Sequence, residues 1–207
     1  MKVLIVDDHA IFRDGLKRIL SDEFRVAAFG EASNATEALK QVWEEKWDLV
    51  LLDITMHGRS GLDVLKEIRT SVPKLPVLIL SGHPEEQYAV RVLRAGADGY
   101  LMKESASQDL CGAVRKLLSG GKYISARLAE QLAAEIQSPR RDLHETLSNR
   151  EYQVMLLIAA GKVPKEISNE LSLSAKTIST YRSRILEKLK LRNNAEVMRY
   201  VLERDLG

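Results

Sequence analysis

The run Val3-Leu4-Ile5-Val6-Asp7-Asp8 decides the architecture of the first half of this chain. Four consecutive apolar residues, three of them β-branched, leave no polar face, which marks a strand buried on both sides as in a helix-covered parallel sheet. Leu49-Val50-Leu51-Leu52 repeats the pattern and runs into Asp53. Open α/β sheets bind ligands beyond the carboxyl ends of their strands. Asp7, Asp8 and Asp53, far apart along the chain, are therefore expected to meet as a carboxylate cup.

Outward from these two runs, strand-like segments at 2–7, 26–31, 48–53, 75–80 and 98–102 alternate with helix-like stretches near 10–20, 34–46, 61–71, 85–95 and 106–119. Five β/α repeats imply a doubly wound parallel sheet with right-handed crossovers and helices on both faces. Pro73 and Pro76 bracket the entrance to the fourth strand, and Gly96 stands where a helix C-terminal glycine belongs. After Gly120-Gly121 the pattern changes. Ala126 to Ile136 reads as helix and Gln137-Ser138-Pro139-Arg140-Arg141-Asp142 as a polar, turn-forming linker.

A chain of 207 residues is long enough for two domains. Residues 148–207 carry 11 Lys and Arg against 7 Asp and Glu, whereas residues 1–124 carry 17 against 18. A basic tail behind an acidic cup suggests a polyanion partner for the second half alone, although a solvated charged surface has the same composition. Cys111 is the only cysteine, which excludes an intrachain disulfide and any cysteine-based zinc site and fits a reducing cytoplasm. No cleavable signal pattern follows Met1-Lys2, and no apolar stretch approaches the roughly 20 residues of a membrane helix. The expectation is a soluble cytoplasmic protein without membrane contact.

From Thr146 onward the pattern is all-helical. Ser148-Asn149-Arg150-Glu151 fits a capping box that starts a helix running to about Ala160, before Gly161. Lys165 to Leu171, a short turn at Ser172-Leu173-Ser174 and a longer helix to about Lys190 then read as helix-turn-helix. On that longer helix Ile178, Ile185 and Leu189 share one stripe, steps of seven and four apart. Opposite them fall Lys176, Ser179, Thr180 and Ser183, with Arg184 at the margin. A small, polar, basic face of this kind suits a DNA major groove, with Lys165, Lys176, Arg182, Arg184 and Lys188 available to phosphates. An ordinary solvated helix face has the same character.

These residues resemble a known family, the two-domain response regulators of the NarL/FixJ group, in which a receiver domain precedes a LuxR-type helix-turn-helix domain. The resemblance rests on Asp7-Asp8-His9, Leu51-Leu52-Asp53-Ile54-Thr55-Met56, Leu80-Ser81-Gly82 and Gly99-Tyr100-Leu101-Met102-Lys103. In the tail it rests on Leu147-Ser148-Asn149-Arg150-Glu151, Lys165-Glu166-Ile167 and the run from Leu173 to Arg182. It covers essentially the whole chain, in the family's order.

The resemblance implies a flavodoxin-like receiver, an α/β fold with five parallel strands in the order 2-1-3-4-5, at residues 1–124. A helical linker at 125–144 and an all-α DNA-binding domain at 145–207 follow. It implies that Asp53 accepts a phosphoryl group from a sensor histidine kinase. Mg²⁺ is then expected on Asp7, Asp8, Asp53 and the Thr55 backbone carbonyl, and Lys103 on the phosphoryl oxygens. Ser81 and Tyr100 match the family's switch pair. Lys165, Thr177 and Arg184 match positions that hold DNA phosphates, and Ser179, Thr180 and Ser183 match positions that face base edges of double-stranded DNA. The final helix, Asn194 to about Leu206 with Val197, Val201 and Leu202, is expected to help form a homodimer on phosphorylation.

One position departs from the pattern: His57 stands where the family usually has proline, which loosens that loop. His57, His9 and His83 all follow strand ends on the side of the cup, where a transition metal would compete with Mg²⁺. Two other functional classes fit parts of the sequence. One is a metal-dependent phosphatase using Asp53 as nucleophile, but the haloacid-dehalogenase-like phosphatases it would resemble carry a general acid two residues on, where Thr55 stands here. A regulator whose tail binds protein rather than DNA is the other. The overall expectation is a phosphorylation-controlled transcription regulator and not an enzyme.

Overall fold

The computed structural model describes residues 1–26, 28–56, 59–126, 128–130, 132, 143–204 and 206, with the backbone alone at 86 and 87. It divides into two compact units, Met1–Gln131 and Leu132–Gly207.

In the first unit β1 (Lys2–Val6), β2 (Ala28–Ala32), β3 (Leu49–Asp53), β4 (Val77–Ser81) and β5 (Gly99–Met102) form one parallel sheet in the order β2-β1-β3-β4-β5. Between and after them run α1 (Ala10–Glu23), α2 (Ala35–Glu44), α3 (Gly61–Ser71), α4 (Glu85–Arg94) and α5 (Ala106–Leu118). The fold class is the one the sequence implied, with strand starts displaced by one or two residues at β2, β3, β4 and β5.

Every residue of β3 and β4 is buried, which is why their sequences show no alternation. Side chains still alternate between faces. Val3, Ile5, Leu49, Leu51, Leu78 and Leu80 join Leu16 and Leu20 of α1 and Leu110, Val114 and Leu117 of α5 in one core. Gly96, in the left-handed region at φ 101°, ends α4 as expected.

The register that matters for function is at the carboxyl edge. Val6 lies beside Leu52 and Asp53 beside Leu80, so Asp7, Asp53 and Ser81 emerge from three adjacent strands, with Lys103 just past β5. Lys103–Ser105 then forms a 3-10 turn into α5.

In the second unit a 3-10 turn at Leu143–Thr146 leads to α6 (Asn149–Ala159), α7 (Pro164–Glu170), α8 (Ala175–Leu189) and α9 (Asn194–Glu203). The capping box is present: Ser148 Oγ accepts from the Glu151 amide and Glu151 Oε2 accepts from the Ser148 amide at 2.7 Å. Ile178, Ile185 and Leu189 of α8 are buried together with Val197 and Val201 of α9. Helix α9 ends at Glu203, short of the expected Leu206.

The expected helix Ala126 to Ile136 and polar linker are described only in part. Residues 126, 128–130 and 132 are helical, and residues 133–142 lie outside the described residues, as do His57 and Gly58. Ser125 Oγ accepts from the Leu128 amide and bonds Glu85 Oε2 at 2.6 Å, tying the start of this segment to α4. No helix among the described residues is long and apolar enough to cross a membrane.

Gly61 closes the loop behind Asp53, its amide donating to the Ile54 carbonyl at 2.9 Å. A Cβ there would lie 2.0 Å from the Asp53 carbonyl oxygen, whereas one on Gly112 of α5 would meet nothing within 4 Å. Gly61→Ala is expected to destabilise the first unit by about 1–3 kcal/mol, and Gly112→Ala to be neutral or to stabilise by about 0.5–1 kcal/mol; thermal unfolding of the two variants checks the contrast.

Candidate functional site

At the carboxyl edge of the sheet Lys103 Nζ lies 2.9 Å from Asp53 Oδ2 and 2.6 Å from Asp7 Oδ2. Both carboxylates are almost fully buried, Asp7 1% and Asp53 2% exposed. The Lys103 ammonium also sits 4.9 Å from the centre of the Phe12 ring on α1. The β1–α1 turn folds back on itself: the His9 amide donates to Asp7 Oδ1 at 2.8 Å, and His9 Nδ1 is 2.8 Å from Asp8 Oδ1. Ligand atoms of Asp7, Asp8, His9 and Asp53 all fall within 4.8 Å of one another. The three aspartates thus meet as expected, and His9, which the sequence offered as a possible rival ligand, lies with them.

The electrostatics of this cluster are unbalanced. Burial pushes the Asp53 carboxyl up to about 6; the Lys103 ammonium opposes that, Asp7 adds to it, and the Thr55 amide, which donates to Oδ1 at 3.0 Å, opposes it. Burial lowers the proton affinity of Lys103, but Asp53 and Asp7 outweigh it, so its pKa stands above the ordinary value and the side chain stays charged. Converging hard oxygen donors, partly neutralised, suit a divalent cation.

Ser81 is fully buried at the end of β4, its Oγ accepting from the His83 amide at 3.0 Å. Tyr100 is buried on β5, and its hydroxyl donates to the His83 carbonyl at 2.8 Å. Across the mouth of the cup Thr55 Oγ1 lies 3.0 Å from His83 Nε2, and the His83 ring packs against Tyr88 at 4.9 Å. This bond joins the loops after β3 and β4.

In the second unit Lys165, Lys176, Ser179, Thr180, Ser183 and Arg184 are exposed and Thr177 is half-buried. Thr180 Oγ1 donates to the Lys176 carbonyl at 3.0 Å and Ser183 Oγ to the Ser179 carbonyl at 3.1 Å. The hydroxyl protons are held by the helix, which leaves oxygen lone pairs outward. Thr177 Oγ1 is 2.8 Å from the capping Ser174 Oγ.

Two of the cations read as phosphate ligands are committed elsewhere. Lys188 Nζ bonds Glu151 Oε2 at 2.6 Å, and Arg182 Nε donates to Asn194 Oδ1 at 2.7 Å, so these side chains tie α8 to α6 and to α9. Burial pushes the Glu151 carboxyl up, but Lys188 and the two Ser148 donors prevail and hold it below the ordinary carboxylate range. Arg182, four residues after Ile178 and three before Ile185, falls on the inward stripe by periodicity, whereas Lys188 stays exposed and is held by its ion pair.

Comparison with known proteins decides the family. Residues 3–115 match the family described as response regulator receiver domain, and residues 145–201 match bacterial regulatory proteins of the luxR family. This chain is a NarL/FixJ-family response regulator. It is 36% identical over 208 residues to the response regulator UvrY of Escherichia coli strain K12, covering 100% of this chain and 95% of that one. It is 36% identical over 199 residues to the response regulator GacA of Pseudomonas aeruginosa, covering 95% and 93%. Among solved structures it resembles RcsB of Salmonella enterica serovar Typhimurium bound to promoter rprA with the phosphomimetic BeF3⁻. The TM-score there is 0.64, with 27% identity over 97% of this chain and 98% of that one. As a member of this family the response regulator is a phosphorylation-dependent regulator of transcription.

Within the response regulator, Lys103 is the charge that holds Asp53 down. Lys103→Met is expected to move the Asp53 carboxyl further above 6, read from its side-chain carboxyl carbon in an NMR pH titration; an unchanged or lower midpoint would contradict the assignment.

Proposed function

We propose that Asp53 is the phosphoacceptor, taking a phosphoryl group from a phosphohistidine on a sensor histidine kinase. A carboxylate oxygen forms the new bond to phosphorus as the bond to the imidazole nitrogen breaks, and the departing ring recovers a neutral nitrogen. The product is an acyl phosphate, labile enough to be reset. The observation that carries this reading is the pairing of buried Asp53 with the Lys103 ammonium at 2.9 Å. The same ammonium can follow the charge onto phosphoryl oxygens.

Asp7, Asp8, Asp53 and the Thr55 carbonyl would hold Mg²⁺. Its charge would lower the repulsion between an anionic nucleophile and an anionic phosphoryl group. Thr55 stands two residues beyond Asp53, so no carboxyl general acid is available there, and we read the chain as a regulator rather than a turnover phosphatase. Ser81, whose oxygen accepts from the His83 amide, would donate its hydroxyl proton to a phosphoryl oxygen, and Tyr100, whose own hydroxyl donates to the His83 carbonyl, would respond as its partner.

We divide the chain into a receiver at 1–124, a helical linker at 125–144 and a DNA-binding domain at 145–207. The matched spans and the two compact units support that division. On α8, Ser179, Thr180 and Ser183 would meet base edges while Lys165, Lys176, Thr177 and Arg184 contact phosphates. A cytoplasmic protein that pairs as a homodimer on double-stranded DNA when phosphorylated completes the reading. Leu202 of α9, 76% exposed beside buried Val197 and Val201, is the residue there with apolar surface left for a second copy.

Asp53→Asn is expected to keep the fold and lose acetyl phosphate stimulation of DNA binding in a gel-shift assay, and full stimulation would refute the assignment. Lys165→Ala is expected to weaken binding to all sequences alike and to reduce the slope of log K against log salt by about 1. In contrast, Thr180→Ala or Ser183→Ala is expected to change base preference, measured by selection from random DNA.

A further inference from the structure

The acidic turn between β1 and α1 is held from a direction that the cup does not explain. Arg13, one turn into α1, sends Nη1 to the Asp7 main-chain carbonyl at 2.7 Å and Nε to Glu31 Oε2 at 2.9 Å. Its side chain is only 14% exposed. Glu31 belongs to β2, and its second oxygen accepts from Lys17 Nζ at 2.6 Å. The Asp7 amide donates to the Ala32 carbonyl of β2 at 3.0 Å. Both ends of the Asp7 residue are therefore fixed, the amide by β2 and the carbonyl by a guanidinium that β2 itself anchors.

The peptide whose oxygen Arg13 holds is the one joining Asp7 to Asp8. Its plane sets where the Asp8 carboxylate points relative to Asp7 and Asp53. A guanidinium is suited to this task, because its planar fork engages two acceptors at once with little loss of side-chain freedom.

We propose that Arg13, braced by Glu31, is a positioning residue for the divalent-cation site, acting through the Asp7–Asp8 peptide. This rests on the reading of the cup as a Mg²⁺ site. The two physical effects of Arg13 have opposite signs. As a positive charge near the cup it repels a dication, so its removal alone would tighten binding. As an orienting donor behind a ligand turn it favours binding, and groups of that kind typically contribute about 10–100-fold in metal affinity.

The test is a MgCl₂ titration of the full-length chain, followed through the backbone amides of Asp8 and His9 by ¹H–¹⁵N NMR, for the native protein, Arg13→Met and Arg13→Lys. Arg13→Met is expected to bind Mg²⁺ about 10-fold more weakly, with Arg13→Lys, which keeps a donor and the charge, between it and the native protein. Phosphorylation of Arg13→Met by acetyl phosphate is expected to need more Mg²⁺ for half-saturation and to recover at saturating Mg²⁺. Equal or tighter binding by Arg13→Met, or a Lys variant as weak as the Met variant, overturns the proposal. If Arg13→Met does not fold, the Lys variant decides by the same readout: affinity below native supports the proposal and native affinity overturns it. Absence of Mg²⁺ response in the native chain would instead remove the reading of the cup itself.

Discussion

Two buried carboxylates on adjacent strands share one ammonium, and the rest of the receiver is organised around that arrangement. Asp7 and Asp53 lose most of their hydration at the sheet edge, and Lys103 offsets only part of the cost, as the elevated carboxyl of Asp53 records. A fold optimised for stability alone would replace such a cluster with apolar side chains. The residual negative charge of these converging oxygen donors suits a cation.

Two parts of the cup are held by the backbone around them. The β1–α1 turn is fixed by β2 and Arg13, and Asp53 is backed by Gly61, where there is no space for a methyl group. The loops after β3 and β4 meet through side chains instead, Thr55 to His83, with the Ser81 and Tyr100 hydroxyls both engaged by the backbone of His83. The Ser81 oxygen accepts from the His83 amide, so its hydroxyl proton is not used in that bond. Bonds of this kind have discrete alternatives, which is what a two-state element requires.

In the second unit the same economy separates structure from recognition. One side of α8 is committed to the core through Ile178, Ile185 and Leu189, and its flanks are tied by Arg182 to α9 and by Lys188 to the capping box of α6. What remains outward is small and polar, and the Thr180 and Ser183 hydroxyls donate to the helix backbone. A helix held from both flanks presents that face in a fixed orientation.

The sequence by itself determined the sheet, because strands buried on both faces need unbroken apolar runs, and Val3–Val6 and Leu49–Leu52 supply them. It determined that the aspartates would converge, because parallel connectivity brings every strand end to one edge. It also determined the inward stripe of α8, because 3.6-residue periodicity follows from backbone geometry alone. The partners of long side chains were beyond its reach. Composition offered Lys188 and Arg182 as phosphate-binding cations, and only the packing of α6 and α9 against α8 paired them with Glu151 and Asn194. Arg13 and Glu31 are 18 residues apart and meet only because β2 lies beside β1, while the bond from Thr55 to His83 exists only because two loops close over the same pocket. Local propensity is written residue by residue, whereas contacts between flexible charged side chains are chosen by the distances that the finished fold imposes.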